Sequence, residues 1–147
     1  MKRIGVICLC LLLACTIIGC GGDAEKDKTP KAEVLKEAQL LDGDTLEEFL
    51  RFYLTDTKAW KEEHLGNCFT YKDGMIDGIY IDRIVLLDAH YDFEFIVYLE
   101  KSDLKGLKDG DSVDFTGRMI TYGGNDDKVA FTMKDAYLLK DGEGNDR

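Results

Sequence analysis

Few residues in this chain have the type and spacing of a metal site or of a catalytic nucleophile. The only two histidines are His64 and His90, and neither lies at a metal-ligand spacing from Cys68 or from a nearby acidic residue. The sequence therefore predicts no zinc site, no Cys–His nucleophile and no cofactor. Cys68 is predicted to be a half-buried, small apolar residue at the start of a strand, and an intermolecular disulfide is the alternative.

Three acidic, glycine-containing turns are the remaining candidates for cation binding. They are Asp42-Gly43-Asp44, Asp109-Gly110-Asp111 and the run from Asp141 to Asp146. None has the ligand spacing and terminal Glu of an EF-hand loop, and Asp-Gly pairs are common in ordinary turns. Calcium binding, chiefly by the last run, is kept as an alternative. Because no phosphate loop, serine nucleophile turn or separated carboxylate pair stands out, we predict no catalytic residue and expect a protein that is not an enzyme.

The N-terminal segment has the composition of a secretory signal peptide. Lys2 and Arg3 precede an uncharged apolar run, residues 4–18, which is shorter than the about 20 apolar residues that span a bilayer. A short positive region before an apolar run of this length is typical of an exported protein. Most of the five cysteines lie here, at positions 8, 10, 15 and 20.

The segment ends in Ile17-Ile18-Gly19-Cys20, which resembles the lipobox of bacterial lipoproteins: an aliphatic residue, then Gly or Ala, then Cys. The resemblance implies cleavage before Cys20, a diacylglycerol thioether on its sulfur, and a fatty acid such as palmitate on the new amino group. An ordinary signal peptide and an uncleaved anchor are the alternatives. Because each buried CH₂ contributes about 0.8 kcal/mol, two or three acyl chains hold a domain firmly at a bilayer.

Processing at Cys20 divides the chain into four predicted parts. Residues 1–19 are the lipoprotein signal peptide, 20–31 the lipidated cysteine with a flexible tether, 32–139 a single domain, and 140–147 a polar disordered tail. Cys68 then remains as the one thiol, so the processed chain can form no internal disulfide.

The residue after the anchor, Gly21, also bears on location. An Asp at that position would resemble a signal for retention at the inner membrane. The lipobox resemblance implies a lipid-anchored protein of the cell envelope. Because that Asp is absent, we expect the periplasmic side of the outer membrane if the cell is Gram-negative.

The chain is strongly acidic. It has 19 Lys and Arg against 29 Asp and Glu, a net charge of −10. Loss of residues 1–19 removes Lys2 and Arg3 and no acidic residue, which lowers the charge by two, to −12. Nucleic-acid binders take much of their affinity from phosphate neutralisation by Lys and Arg. The charge therefore argues against a nucleic-acid partner, and it fits a domain held near a membrane without preference for an anionic surface.

The first part of the domain has helical periodicity. Residues 31–41 are predicted to form a short amphipathic helix, and residues 58–65 a helical turn that ends at Gly66. Between them, the spacing of Thr45 and Glu48 predicts a capping box at the start of another helix. The aromatic residues of these last two helices are predicted to pack against the sheet, and an exposed partner surface is the alternative: Phe49, Tyr53 and Trp60.

From Asn67 the apolar period changes to two, which is typical of strands. Five strands are predicted, over residues 67–81, 83–89, 91–100, 111–122 and 128–139. Glycines inside the first and fourth strands fit the tight bends of a small barrel. The predicted fold class is therefore α+β, with N-terminal helices followed by a five-stranded antiparallel β-barrel.

The run from Leu104 through Gly110-Asp111 to Val113 and Gly117 resembles the L-x-x-L-x-x-G-D-x-V-x-x-x-G-x-I run of bacterial OB-fold lipoprotein domains, the tRNA-anti-like group. The lead into the first strand is similar too, although Asn67 stands where Lys is usual. The resemblance covers residues 45–139 and implies an OB-like barrel.

OB folds commonly bind extended ligands across their second and third strands. The outward side of the predicted third strand presents Glu94, Ile96 and Tyr98, the candidate binding face. Tyr98 could stack on a ligand ring, but the carboxylates of this strand would repel a phosphate backbone. We therefore expect a non-catalytic module that binds an envelope protein. The alternatives are oligosaccharide or single-stranded nucleic-acid binding at the same face, and a small hydrolase with an unrecognised site.

Replacing Cys20 by Ser should abolish palmitate incorporation and release the protein from the membrane fraction, because the acceptor thiol is lost. Labelled palmitate fed to producing cells, followed by fractionation, measures both effects. Cys15→Ser is the matched control, since that thiol would leave with the signal, and it should label like the wild type. Palmitate that still entered the Cys20→Ser chain would contradict the lipobox interpretation.

Overall fold

The structure is a computed structural model that describes residues 28–88, 90–125 and 128–140. The predicted lipobox with Cys20 and the acidic run from Asp141 to Asp146 lie outside these residues. Within the described ranges, no helix is both long enough and apolar enough to cross a bilayer.

Helices come first and strands follow, as the change of period predicted. The helices are α1 (Lys31–Glu37), α2 (Gly43–Thr55) and α3 (Thr57–His64). A short strand, β1 (Gln39–Leu41), lies between α1 and α2. The five long strands are β2 (Cys68–Ile79), β3 (Arg83–Asp88), β4 (Phe93–Tyr98), β5 (Ser112–Asn125) and β6 (Lys128–Lys140). The predicted α+β class is confirmed.

The five long strands close into a barrel. Their order is β2-β3-β4-β6-β5, and β5 pairs back onto β2, which is the connectivity of an OB-like barrel. All the pairings within this ring are antiparallel except β4 with β6. The barrel is therefore mixed and not wholly antiparallel as predicted, because a closed ring with an odd number of strands cannot alternate direction throughout.

β2 bends near Gly74 and Gly78, as the glycines in its sequence predicted. Its pairing register shifts between Tyr71 and Gly74 on the β5 side, and between Ile76 and Gly78 on the β3 side. At the first bend the backbone N–H of Asp73 donates to the Asp114 carboxylate at 2.9 Å. That bond explains why Asp114 is buried, since its side chain closes the bulge.

The predicted helix over residues 31–41 is wrong in its last part. α1 ends at Glu37, and Gln39–Leu41 pair in parallel with Phe69, Thr70 and Tyr71 of β2. β3 pairs with β2 only from Met75 onward, so the first half of β2 would otherwise present an open edge. A strand that satisfies this edge is favoured over a further helical turn, and it buries Leu41.

α2 also begins earlier than the predicted cap. The backbone N–H of Asp42 donates to Thr45 Oγ1 at 2.9 Å, so Thr45 stands inside the first turn and Asp42 is the cap. The predicted capping box of Thr45 with Glu48 is therefore wrong by one turn. The predicted end of α3 is confirmed, since Gly66 follows the helix with φ of 88°.

Helices α2 and α3 pack aromatic side chains against the barrel. The Phe49 ring lies 5.5 Å from Phe69 and 5.2 Å from Phe131, and Trp60 lies 5.3 Å from Tyr122. Phe49 and Trp60 are both buried. The prediction that these aromatic residues belong to the core is confirmed. Their edge-to-face geometry adds to the stabilisation by burial.

Gly117 of β5 marks the closest approach of two strands. A Cβ at this position would lie 3.0 Å from the Ala136 Cβ and 3.3 Å from the Lys134 carbonyl oxygen of β6. Gly117→Ala should therefore lower the free energy of unfolding by about 1–3 kcal/mol, because the two strands must move apart. Urea unfolding followed by circular dichroism measures the change.

Gly123→Ala in the same strand is the control, since a Cβ there would meet nothing within 4 Å. It should change stability by less than about 0.5 kcal/mol. Equal effects of the two substitutions would mean that the β5–β6 contact is not as close as described.

Candidate binding face

The outward sides of β3, β4 and β6 form one continuous surface, which we call the outer face. On β3 and β4 three cross-strand pairs point outward: Arg83 with Tyr98, Val85 with Ile96, and Leu87 with Glu94. All six side chains are partly exposed, whereas their neighbours along each strand, such as Phe95, are buried in the barrel. The alternation of the strand places the three predicted residues, Glu94, Ile96 and Tyr98, side by side on this surface.

β6 contributes the third column of the outer face. Glu94 lies opposite Ala130, and Ile96 lies opposite Thr132. The Lys128 ammonium forms an ion pair with the Glu94 carboxylate at 3.0 Å. The hydrogen bond from Lys128 to Glu94 raises the pKa of the lysine. Glu94 is therefore compensated by a neighbouring strand, which the sequence of β4 alone does not show.

Tyr98 has a cation from each neighbouring strand beside its ring. The Arg83 guanidinium carbon lies 5.7 Å from the ring centroid, and the Lys134 ammonium lies 5.5 Å from it. Arg83 also lies 4.8 Å from the Tyr80 ring and pairs with Asp82 at 3.0 Å. These distances are in the range of cation–π attraction. The surroundings of Tyr98 are thus mixed in charge, where the sequence predicted an acidic surface.

A carboxylate at one end of the outer face holds the turn between β3 and β4. Asp88 Oδ1 accepts from the backbone N–H groups of His90 and Tyr91, at 2.7 and 3.1 Å. The other Asp88 oxygen accepts a short hydrogen bond from the Tyr71 hydroxyl. Burial, together with this bond, raises the pKa of Tyr71. The outer face is therefore fixed at this turn by one buried tyrosine.

The remaining reactive side chains do not converge. His64 is the last residue of α3, with its ring stacked on Phe49 at 5.1 Å, and His90 lies in the β3–β4 turn. Within the described part of the chain, no three His, Cys, Asp or Glu side chains are grouped so that they could hold a metal ion. The first two Asp-Gly sequences form a helix start at Asp42 and a turn at Asp111, whose carboxylate accepts from the Lys108 N–H at 2.8 Å.

Cys68 is the first residue of β2, as predicted, and it is more deeply buried than the sequence suggested. Only 1% of its surface is exposed, and the thiol is free. Its sulfur lies 3.9 Å from the Glu37 carboxylate. Burial raises the pKa of this thiol. A buried thiol with a raised pKa is neither a nucleophile nor available for an intermolecular disulfide.

A hollow lies between β1 and helices α2 and α3. It has a volume of about 890 Å³, and its apolar lining comes mainly from Leu40, Phe49, Phe52 and Phe69. It is larger than the hollow beside Tyr98, which measures about 240 Å³. Sequence reasoning missed it because β1 was predicted as helix. Its polar lining includes Glu48, Arg51, Glu63 and His64.

Comparisons with solved structures agree with the OB-like barrel. The chain is similar to the crystal structure of a "putative nucleic acid-binding lipoprotein" from Klebsiella pneumoniae subsp. pneumoniae MGH 78578, with a TM-score of 0.54 and 13% sequence identity. The match covers 76% of this chain and 100% of that one. At this identity the likeness shows the fold alone.

A second solved structure, the hypothetical protein YgiW from E. coli, has a TM-score of 0.34 and 17% identity, over 54% of this chain and 82% of that chain. A score this low does not establish a shared fold. No protein-family model and no curated protein matches the chain.

The Tyr71–Asp88 contact should make stability fall at high pH. The pKa of Tyr71 is raised in the folded protein above its ordinary value of 10.0, so its contribution is complete below pH 10 and is lost as the pH rises beyond that value. Tyr71→Phe should therefore flatten the decline of unfolding free energy between about pH 9 and pH 11. Part of the decline will persist, because burial also raises the pKa values of Tyr53 and Tyr137.

Urea unfolding across this pH range is the measurement, and Tyr91→Phe, at an exposed position of the same turn, is the matched control. The control should keep the wild-type slope. A Tyr71→Phe protein whose slope also stayed unchanged would show that the Tyr71 hydroxyl is not buried against Asp88.

Proposed function

We propose that this protein is a lipid-anchored, non-catalytic binding module of the cell envelope, and that it binds a protein at the outer face. The observation that carries this proposal is the composition of that face. Its middle row is apolar on β3 and β4, where Val85 pairs with Ile96, and Thr132 of β6 lies opposite Ile96. The rows on either side hold paired charges, Lys128 with Glu94 and Arg83 with Asp82.

This arrangement fits a protein partner for two physical reasons. Protein interfaces are enriched in aromatic residues and Arg, with an apolar centre and a polar rim. Tyr98 and Arg83 are residues of the types that dominate binding energy once water is excluded around them. The hollow beside Tyr98 of this face measures only about 240 Å³, which is less than the about 300–1,000 Å³ of typical small-ligand pockets, so an extended surface contact suits a macromolecule better than a small substrate.

Single-stranded nucleic acid is the second candidate. Tyr98 between two cations favours it, since bases stack on aromatic rings beside a positive groove, and the Klebsiella neighbour is described as a nucleic-acid binder. The charge balance argues against it, however. Arg83 and Lys128 of this face are already compensated by carboxylates, and the whole chain carries −10. Few phosphates could be neutralised.

The anchor is proposed from the sequence. Ile17-Ile18-Gly19-Cys20 supplies the lipidation site, and Gly21 favours the outer membrane in a Gram-negative cell. The fold likeness to a protein described as a lipoprotein supports a membrane-anchored location in the envelope, without indicating which membrane. A lipid anchor would hold the outer face near one membrane, which raises the local concentration of a partner in that membrane.

Ile96→Glu should remove partner binding, because it places an unpaired charge in the apolar row. Crosslinking and capture of the full chain from the cells that naturally produce it should recover the partner at least about tenfold less well, which corresponds to about 1.4 kcal/mol. Ile120→Glu is the matched control: Ile120 is an outward isoleucine of β5, 38% exposed, and its replacement should leave capture unchanged.

The same variants distinguish the two candidates. Binding of labelled oligonucleotides is measured by fluorescence anisotropy at several salt concentrations. Tight binding at physiological salt that weakens steeply with salt and is lost in Ile96→Glu, with no protein captured, would reverse the order of the candidates.

A further inference from the structure

The turn between β2 and β3 exposes two large apolar side chains at its tip. Ile81 is 75% exposed and its neighbour Tyr80 is 52% exposed. Isolated exposed apolar residues are common on soluble proteins, so exposure alone indicates no function. The turn also lies close to the start of the domain, and this position indicates a role for the two exposed side chains.

The chain reaches the barrel beside this turn. Lys28, the first residue that the structure describes, lines the same hollow as Asp82 and Tyr98. The Lys28 ammonium lies 3.4 Å from the Glu100 carboxylate and 3.9 Å from the centroid of the Tyr137 ring. Asp82 follows Ile81 directly, and its carbonyl oxygen accepts a hydrogen bond of 3.0 Å from the backbone N–H of Leu99, the residue after β4.

Three contacts fix the chain at this place. Thr29 Oγ1 donates to the Asp135 carboxylate at 2.9 Å, and the Tyr137 hydroxyl donates to the Thr29 carbonyl oxygen at 2.5 Å. The Lys31 ammonium donates to the Leu138 carbonyl oxygen at 3.2 Å. The segment before α1 is thus held against β6 near the β2–β3 turn. Cys20 lies on the N-terminal side of this segment in the sequence.

The chain length limits the distance from Lys28 to the anchor. Lys28 is the eighth residue after Cys20, so the two Cα atoms can be at most about 28 Å apart. A domain tethered so closely at this place must keep the Lys28 hollow, with the adjoining turn, near the lipid head groups.

We infer that Tyr80 and Ile81 insert into the surface of the bilayer that carries the lipid anchor, so that the domain has a second membrane contact; this inference rests on the proposed lipidation of Cys20. An aliphatic residue beside a tyrosine, with Arg83 4.8 Å from that tyrosine's ring, is a combination suited to the membrane interface. The aliphatic side chain enters the apolar region, and Tyr and Arg remain at the level of the head groups.

The contact is apolar and not electrostatic. The charges around the turn are balanced: Arg83 pairs with Asp82 and Lys28 with Glu100, and Lys134 lines the Lys28 hollow together with Asp135. Anionic lipid therefore gains little from this surface, and the contact should be retained at high salt. With this contact in place the outer face, which continues from Arg83 and Tyr98 away from the turn, stands beside the membrane and is open to a partner in the same envelope.

The test places a fluorescent label at position 81 of the lipidated chain. Ile81→Cys is labelled with a polarity-sensitive dye, purified from the membrane fraction and reconstituted into vesicles of phosphatidylethanolamine and phosphatidylglycerol. Cys68 does not interfere, because its thiol is buried. Leu54→Cys is the matched control, since Leu54 is 74% exposed and lies on α2, which contributes no described residue to the Lys28 hollow.

In vesicles, the dye at position 81 should shift to shorter emission wavelengths, be quenched by spin-labelled lipid and lose most of its quenching by aqueous iodide, while the dye at position 54 should keep its aqueous behaviour. Replacing Tyr80 by Ser in the labelled chain should lower the membrane-contacting population by about tenfold. The signal should be the same at low and high salt.

Palmitate incorporation is measured first on the same preparation, so a failure of the anchor is seen separately. If the chain is lipidated and yet positions 81 and 54 are equally accessible to iodide, the inference is wrong while the proposed function stands. Protection of position 81 in intact membranes but not in pure lipid vesicles would also overturn it, because a protein partner would then cover the turn.

Discussion

The parallel pairing of β4 with β6 is the constraint on which the rest of the structure depends. In a closed ring of five strands the directions cannot alternate throughout, so one neighbouring pair must be parallel. Here that pair is β4 and β6, in which Phe93–Val97 pair with Val129–Met133. This pairing buries Phe93, Phe95, Phe131 and Met133 on the inside of the barrel. On the outside it brings the Lys128 and Lys134 side chains of β6 next to Glu94 and Tyr98 of β4.

The set of side chains on the outer face is therefore decided by which strands pair, more than by the sequence of any one strand. Read alone, β4 presents a carboxylate, an isoleucine and a tyrosine. In the barrel, Glu94 pairs with Lys128 at 3.0 Å and Tyr98 lies beside Arg83 and Lys134. The same closure explains why the face lacks strong charge although the chain is acidic, and that balance favours a protein over a polyanion as the ligand.

Local periodicity was enough to predict much of the fold. The alternation around Phe93, Phe95 and Val97 identified β4, the helical spacing around Phe49 identified α2, and the glycines of β2 identified its bends. These signals come from residues whose neighbours in sequence share their environment. One failed prediction is local, the capping box, which begins at Asp42 and not at Thr45. The others concern pairings distant in sequence. β1 was predicted as helix because the position of Leu41 fits the apolar stripe of a helix as well as the inner side of a strand. Only the open edge of β2 decides between the two structures.

The candidate site could be predicted only in part for the same reason. The sequence identified three residues of one strand: Glu94, Ile96 and Tyr98. It did not identify the cations of the two neighbouring strands, Arg83, Lys128 and Lys134. These cations lie up to 51 positions apart in the chain. The OB connectivity implied by the resemblance could have paired these strands, since β3, β4 and β6 are neighbours in that order. The side-chain register within the pairs, which puts a cation beside Tyr98, needed the structure.

The proposed function depends on partner binding at the outer face. The most direct test is to place a photocrosslinking amino acid at Val85, in the apolar row, in the lipidated chain of living cells. We expect a discrete crosslinked protein at Val85 and none at Leu40, which lines the hollow between β1 and α2. A crosslink to protein only at Leu40, or to nucleic acid at Val85, would contradict the proposed function.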